Sequence, residues 1–583
     1  MFAAQASPLP YRARRVLGAE PAALGLAVLA LLITAGVALM QLSVRGGAYD
    51  PRSLPIFYRL FAFEDYPATF LFMSTLLLAA IPACQRAAAR LASAIGEHPL
   101  LATVLSGIVL AAGALYIYDA LPLAMDESAP YMQAKIFTHG ALVGKLPADL
   151  IDWLVVPSFQ NYFIHVSHET GEVASTYWPG FALLLTPFMW AGVPWLCNPV
   201  LGAASVWVVH RLTLRLTDSK LAAGAAVLFA LASAAFTINS ISFYSMTAHL
   251  LCNATFALLL LRPSTSRCVL AGLVGGLALT LHNPVRHMTF AAVWILWLLT
   301  QKNRWQLLAS LLAGYLPWVA FIGVGWAHLL NSLARPAEAT GAGSAPQVVW
   351  AHALAQLRSV FAIPSGALLF SRLITTAKLW LWASPLLILL AGFGFWRHRN
   401  NTHMKLLLAS ALTTSVAFMF VPIDQGHGWG HRFFHSAWFV LPVFAGAALV
   451  PPRELAAHGE GSPSNPLIPW ALAAALGGLF IMTPYFSWSV HSFIGAHLAQ
   501  VPVADHGTPR LVIIDPAQGY YNVDLVVNDP FLAAPVIRML SLGKQNDARM
   551  IASRFPDLVL LAKDSRGSVW GYEAAAPQPA KSK

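Results

Sequence analysis

The chain has 583 residues, of which 57% are hydrophobic and only 10% charged, with a formal net charge of +11. Soluble domains carry about 25% charged residues, so a water-soluble globular protein of this length is excluded. The lysines and arginines sit in short stretches between apolar runs rather than on one stripe, which fits membrane sidedness better than a nucleic-acid-binding face.

In chain order, Arg12, Arg14 and Arg15 precede an apolar run over 22–42. About 20 residues cross the hydrocarbon layer, so this run is too long for a signal-peptide core and is read as an uncleaved first helix. Further runs at 66–84, 99–119, 198–214, 221–238, 247–262, 268–283, 288–300, 306–328, 374–395, 406–421, 433–450 and 467–485 bring the expected spans to about thirteen. The spans 268–283 and 288–300 are short, and the break between them holds His282, Asn283, Pro284, Arg286 and His287. Interrupted helices of this kind line cavities within a membrane. Residues 179–195 are apolar but short and contain three prolines, which predicts an interfacial or re-entrant helix. Cys84, Cys197, Cys252 and Cys268 lie in or beside apolar segments without metal-ligand spacing and imply packing roles.

With the N-terminus inside, basic loops such as Arg86/Arg90, Arg211/Arg215/Lys220, Arg262/Arg267 and Arg397/Arg399/Lys405 all fall on the cytoplasmic side. Three larger regions then lie outside. The first, 120–178, contains a predicted helix over 127–142. The second, about 329–373, starts as a loop from Arg335 to Gln347 and continues as a predicted amphipathic helix from Val348 to Phe361. The third, 486–583, changes to soluble composition. Strands are predicted at 511–515, 524–527 and 558–561, a helix at 547–555, and a disordered tail from Ala574. The predicted class is an all-α polytopic membrane protein with a small C-terminal extracytoplasmic α/β domain. The expected division is a two-helix membrane extension (1–98), a transmembrane catalytic domain (99–485) with its outer loop at 120–197, and the α/β domain with its tail (486–583).

Several polar constellations interrupt this apolar background. Asp126 and Glu127 stand directly after an apolar run, where two carboxylates are either helix N-terminal charges or a base or metal-binding pair at the membrane surface. A Gly-rich stretch from Asp424 to His435 offers Arg432 and three histidines, with glycines that would let backbone N–H groups approach an anion. His427, His431 and His435 do not match a zinc-ligand spacing. Arg286 needs a counter-charge at its depth, which a lipid phosphate would supply. His165, His168 and Glu169 read as a solvated loop, and Arg358, Arg372 and Lys378 as weaker phosphate candidates. Nucleotide-binding and hydrolase motifs are missing, which argues against an ATP-driven pump.

The order of motifs resembles the GT-C glycosyltransferases that use polyprenyl-phosphate sugars, nearest the aminoarabinose and galacturonic acid transferases of lipid A and the protein O-mannosyltransferases. The residues that carry it are Asp126-Glu127, Tyr131-Met132-Gln133-Ala134 and Gly140, then Tyr177-Trp178-Pro179-Gly180-Phe181, then Asn198-Pro199 and the basic end His210-Arg211. By motif it covers about residues 99 to 300; by span layout it reaches about 485. It implies transfer of a sugar from a polyprenyl-phosphate donor to a lipid, glycan or protein acceptor, on the outer face of the cytoplasmic membrane and by inversion. It also implies that Asp126 is the essential acid, with Glu127 beside it. Arg286 and Arg432, flanked by His287 and His431, are expected to hold the donor phosphate, and Tyr131 and Trp178 to shape the sugar pocket. Residues 239–249 contain no acid where many relatives have one, which leaves a divalent metal and the acceptor class open. The competing classes are a lipid or glycan flippase and an O-antigen-ligase-like transferase.

Overall fold

The structure is a computed structural model and describes residues 21–47, 54–333, 361–451 and 467–573. Arg12, Arg14, Arg15, Arg358, the loop from Arg335 to Gln347, nearly all of the helix expected from Val348 and the tail from Ala574 lie outside the described residues.

Helices follow the apolar runs. The first is α1 (Pro21–Gly46), followed by α2 (Tyr66–Leu78), α3 (Pro82–Glu97), α4 (Pro99–Tyr116), α5 (Met125–Thr138), α6 (Gly180–Trp190) and α7 (Cys197–Thr217). Then come α8 (Lys220–Leu231), α9 (Met246–Leu260), α10 (Thr265–Thr280), α11 (Val285–Leu298) and α12 (Arg304–Pro317). The membrane-type series closes with α13 (Gly366–Trp382), α14 (Leu387–Arg397), α15 (Thr402–Met419), α16 (Val440–Ala447) and α17 (Thr483–Leu498).

Among the described residues, four helical runs are long and apolar enough to cross a membrane: Gly25–Gly46, Pro99–Tyr116, Arg304–Leu330 and Ile468–Leu498. Two bent pairs raise the number to six: α2 with α3 at 95° and α13 with α14 at 91°. Length and composition alone therefore give fewer crossings than the thirteen expected. The run 374–395 is not one straight span but the bent pair α13 and α14, because Leu386 takes a left-handed turn (φ 68°). The run 433–450 holds one short apolar helical stretch, His435–Ala447, whose last 8 residues are α16. The predicted break between α10 and α11 is present, and 179–195 holds the short helix α6.

A small antiparallel sheet lies in the segment between α5 and α6. Its strands are β1 (Gly144–Lys145), β2 (Ile164–Val166) and β3 (Glu172–Ser175), in the order β1-β3-β2. The C-terminal sheet comprises β4 (Thr508–Ile514), β5 (Ile537–Leu540), β6 (Val559–Asp564) and β7 (Gly567–Tyr572), in the order β5-β4-β7-β6. Its helix is α18 (Lys544–Arg554). The strand expected at 524–527 is a short helical turn, Asn522–Leu525. Left-handed Tyr521 (φ 61°) reverses the chain just before it, and the Asn522 side chain donates to the Asp515 carbonyl at 2.6 Å, which closes the turn. Its apolar residues are buried without joining a ladder.

This sheet grips the helix that carries the acidic pair. Met125, Ala129, Met132 and Ile136 of α5 share a buried cluster with Leu511, Ile513 and Met539 of the sheet. Lys135 of α5 meets Asp529 at 2.5 Å, and the Lys145 N–H donates to the Pro530 carbonyl at 2.9 Å.

Candidate active site

Asp126 and Glu127 occupy the first turn of α5, where acids complement the helix dipole. Consecutive helical residues point about 100° apart, and here that angle separates two environments. Glu127 is fully buried. Its Oε1 accepts from the Tyr118 hydroxyl at 2.9 Å and the Phe243 N–H at 2.8 Å. Its Oε2 accepts from the Leu123 and Ala124 N–H groups at 2.8 and 3.3 Å. A carboxylate has about four acceptor positions, and all of these are filled. Glu127 was expected to stand beside Asp126 in catalysis; its hydrogen bonds tie the start of α5 to the segment before α9. Burial pushes its carboxyl up to about 7, against the pull of those N–H groups.

Asp126 turns the other way, and its side chain keeps 22% of its exposure. Oδ2 accepts from Arg432 Nη2 at 2.6 Å, and Oδ1 accepts from the Tyr177 hydroxyl. Burial opposes its ionisation, but Arg432, the field of His282 and the Tyr177 hydroxyl together hold it down at about 2.

Arg432 lies in the loop between α15 and α16. Its Nη1 donates to the carbonyls of Gln425 (2.9 Å) and His427, its backbone N–H to Gln425 Oε1 at 3.1 Å, and its guanidinium covers the Tyr244 ring at 4.3 Å. The glycines here were expected to bring N–H groups to an anion. Instead the loop turns carbonyls toward an arginine. Gly428 has φ +136°, and a Cβ there would lie 2.1 Å from Arg432 Cδ, so only glycine lets the loop close on this side chain. His427 Nδ1 is paired with the Tyr244 hydroxyl at 2.9 Å. His431 packs its ring near Phe434, centroids 6.1 Å apart, rather than against Asp126. Among the described residues, no three His, Cys, Asp or Glu side chains are placed to share a metal ion.

The break between α10 and α11 supplies the other wall. Gly180 at the start of α6 permits this approach, since a Cβ there would lie 2.5 to 2.7 Å from atoms of Thr280. The His282 ring stacks on Tyr177 with centroids 4.1 Å apart, and both of its nitrogens are buried without a hydrogen-bond partner among the described residues. Arg286 is 4% exposed and lies in the field of Arg432 and Asp126. Its Nη1 touches Met246 Sδ at 2.7 Å, its Nε has no partner, and no carboxylate pairs with it among the described residues. His287, expected beside the donor phosphate, turns into the bundle. Its Nδ1 is paired with Asn253 Oδ1 at 2.7 Å and its Nε2 with the Tyr315 hydroxyl at 2.6 Å, so both nitrogens are used inside the bundle.

The expected sugar-pocket residues stand further out. Trp178 is half-buried and packs against Gly323. Tyr131 sits edge-on to Phe243 at 5.6 Å, on the Glu127 side of α5. Two residues at the site have no individual role in the sequence reading: Tyr177, one position before Trp178, and His282, in the same break as Arg286. A further acid comes from the C-terminal domain. Asp524 is 7% exposed, and burial with the nearby charge of Asp126 raises its carboxyl to about 8. The weaker phosphate candidates are occupied elsewhere. Arg372 donates to the carbonyls of Phe418, Val421 and Ile423 at 2.6 to 2.9 Å and closes the end of α15. Lys378 meets Asp65 at 2.6 Å in the bundle interior.

The chain shares its fold with a solved structure. ArnT from Cupriavidus metallidurans bound to undecaprenyl phosphate superposes with a TM-score of 0.50 at 13% sequence identity, covering 82% of this chain and 99% of that one. The same protein in the apo state gives a TM-score of 0.47 over the same shares. No protein-family model and no curated protein sequence matches the chain.

Proposed function

We propose that this chain is a membrane glycosyltransferase that moves a sugar from a polyprenyl-phosphate donor to a lipid, glycan or protein acceptor on the extracytoplasmic face. The observation that carries the reading is the triad of Asp126, Arg432 and Arg286: one accessible carboxylate beside two buried guanidinium groups, of which Arg286 is ion-paired with no carboxylate among the described residues. A phosphate on a lipid carrier fits that vacancy in charge, and the undecaprenyl phosphate bound to the ArnT structure of the same fold supports the class of donor.

Transfer requires the acceptor hydroxyl to attack C1 of the sugar. Its proton passes to Asp126, the bond from C1 to the phosphate oxygen breaks, and the electron pair leaves with the polyprenyl phosphate. Arg286 and Arg432 stabilise that charge. A carboxylate held at about 2 is a weak base. A donor phosphate that draws Arg432 away removes the main stabilising charge, and the burial of Asp126 then raises its basicity where it is needed. The basic loops expected on the cytoplasmic side support an outward-facing Asp126 end.

A flippase would need no accessible base. An O-antigen-ligase-like transferase would rest on the late loop alone, whereas Arg432 of that loop is directly engaged by Asp126. The test is mass spectrometry of surface glycolipids and glycoproteins from a strain lacking the chain. One sugar modification should be missing, with its lipid-linked precursor accumulating at the outer face. Unaltered surface glycans would contradict the proposal.

A further inference from the structure

The end of the bundle opposite Asp126 carries a second basic concavity. Asn198 at the start of α7 donates to the carbonyls of Ser242 and Tyr244 beside the candidate active site, while Arg211 and Arg215 lie near its other end. The helix has 21 residues, which at 1.5 Å per residue separates its ends by about 30 Å. At that far end Arg211, Arg215, Arg262 and Arg267 line a cavity of about 280 Å³ together with Asn401, His403 and leucine side chains.

No aspartate or glutamate lines this cavity. Arg211 is half-buried over the Trp207 ring at 5.6 Å, and Arg267 Nη1 donates to the Arg262 carbonyl at 3.0 Å, so neither contact supplies a negative charge. The Nε2 of His403 is buried without a partner. Two helix N-termini open here. Ser264 caps α10 by accepting the Arg267 N–H, and Asn401 caps α15 by accepting from the N–H groups of His403 and Met404. Their dipoles add to the positive field. Four arginines drawn from two chain segments, a leucine floor and two helix starts form a concave site, not the scattered basic residues that sidedness alone demands.

We propose that this cavity binds a phosphate group, with the headgroup of an anionic membrane phospholipid as its source. Arginine forks grip phosphate oxygens in pairs, and the leucines suit the glycerol and upper acyl chain. The site is independent of the transferase reading, since none of its residues approaches Asp126.

The test is native mass spectrometry of the full-length protein in detergent, titrated separately with phosphatidylglycerol, phosphatidylcholine and inorganic pyrophosphate. Phosphatidylglycerol should bind at least tenfold more tightly than phosphatidylcholine. Arg211→Gln with Arg262→Gln should remove that preference, while Arg304→Gln, an exposed arginine at the same end but outside the cavity, should keep it. Binding of pyrophosphate alone, lost in the same double variant, would keep the phosphate site but assign it a soluble source. Equal retention of the two lipids without pyrophosphate binding, or an equal loss in Arg304→Gln, would overturn it. If the glutamine pair does not fold, Arg211→Lys with Arg262→Lys decides. Weaker phosphate binding at unchanged charge supports the guanidinium site, and undiminished binding overturns it.

Discussion

Asp126 Oδ2 lies 2.6 Å from Arg432 Nη2, joining two residues 306 positions apart in the chain. The late loop is shaped around this pair, because the second nitrogen of the guanidinium is held by the Gln425 and His427 carbonyls. The acid at the start of α5 and the basic loop before α16 therefore form one unit.

Arg432→Lys should separate charge from geometry. A lysine ammonium cannot reach Asp126 and both carbonyls at once, so transfer should fall by about two orders of magnitude. Arg432→Ala should also lower stability by roughly 3 kcal/mol, because a partly buried carboxylate loses its partner. Turnover and thermal unfolding of the purified variants check this; wild-type turnover in Arg432→Lys would be inconsistent with the arrangement.

Gly428→Ala should damage activity through backbone alone. Its Cβ would collide with Arg432 and its φ is strained for alanine. Gly426→Ala is the matched comparison, with φ +60° but no atom within 4 Å of the added carbon. The first variant should lose most transfer while the second costs about 1 kcal/mol of stability and keeps it. Equal activities would show that the loop does not set the Arg432 position.

Stability should depend on pH through Glu127. Its carboxyl is raised from 4.5 to about 7, so the folded protein binds the proton more tightly than the unfolded chain. The stability from this group is full below pH 4.5 and lost as pH rises to about 7, on the order of 3 kcal/mol. Asp126 runs the other way: its contribution is full above 3.8 and lost only as pH falls through about 2. Thermal unfolding midpoints should therefore fall between about pH 5 and pH 7 through Glu127, and Glu127→Gln should flatten that decline. An unchanged slope in the variant would assign the titration to another group.

The buried pair of Lys378 and Asp65 should matter for stability and not for chemistry. Lys378 sits 1% exposed on α13, and Asp65, beside the start of α2, also accepts from Trp382 Nε1 at 2.9 Å. Lys378→Met leaves an unpaired buried carboxylate and should cost roughly 3–5 kcal/mol. Adding Asp65→Leu should recover much of that loss. Unfolding measurements on the single and double variants check it; a double variant no more stable than the single one would mean the aspartate is satisfied without lysine.

Much of this is legible in the chain. The apolar runs mark most of the membrane-type helices, but Arg86 and Arg90, expected in a loop, lie in α3 (Pro82–Glu97), whose alanine-rich, charge-bearing sequence is not an apolar run. The outer acids and the late arginine stand out in the sequence; their contact does not. Neighbouring residues were the difficulty. Asp126 and Glu127 share a turn of α5, as Arg286 and His287 share a turn of α11, and a rotation of about 100° sends one member of each pair to the site and the other into the interior. Sequence spacing did not reveal that Tyr177, rather than Trp178, faces Asp126. In the C-terminal domain, β5 and β7 carry weak strand signals, because Ile537–Leu540 is short and Gly567–Tyr572 begins and nearly ends on glycine. The apolar residues after Asp524 resembled a strand but have no ladder partner.

The most direct measurement is complementation of the deletion strain with Asp126→Asn, read by mass spectrometry of its surface glycolipids and glycoproteins at matched protein levels. The isosteric amide keeps the shape of the site but cannot take the acceptor proton, so the missing sugar should stay missing while the lipid-linked donor remains unconsumed. Restoration of the sugar to wild-type abundance by Asp126→Asn would contradict the role given to this carboxylate.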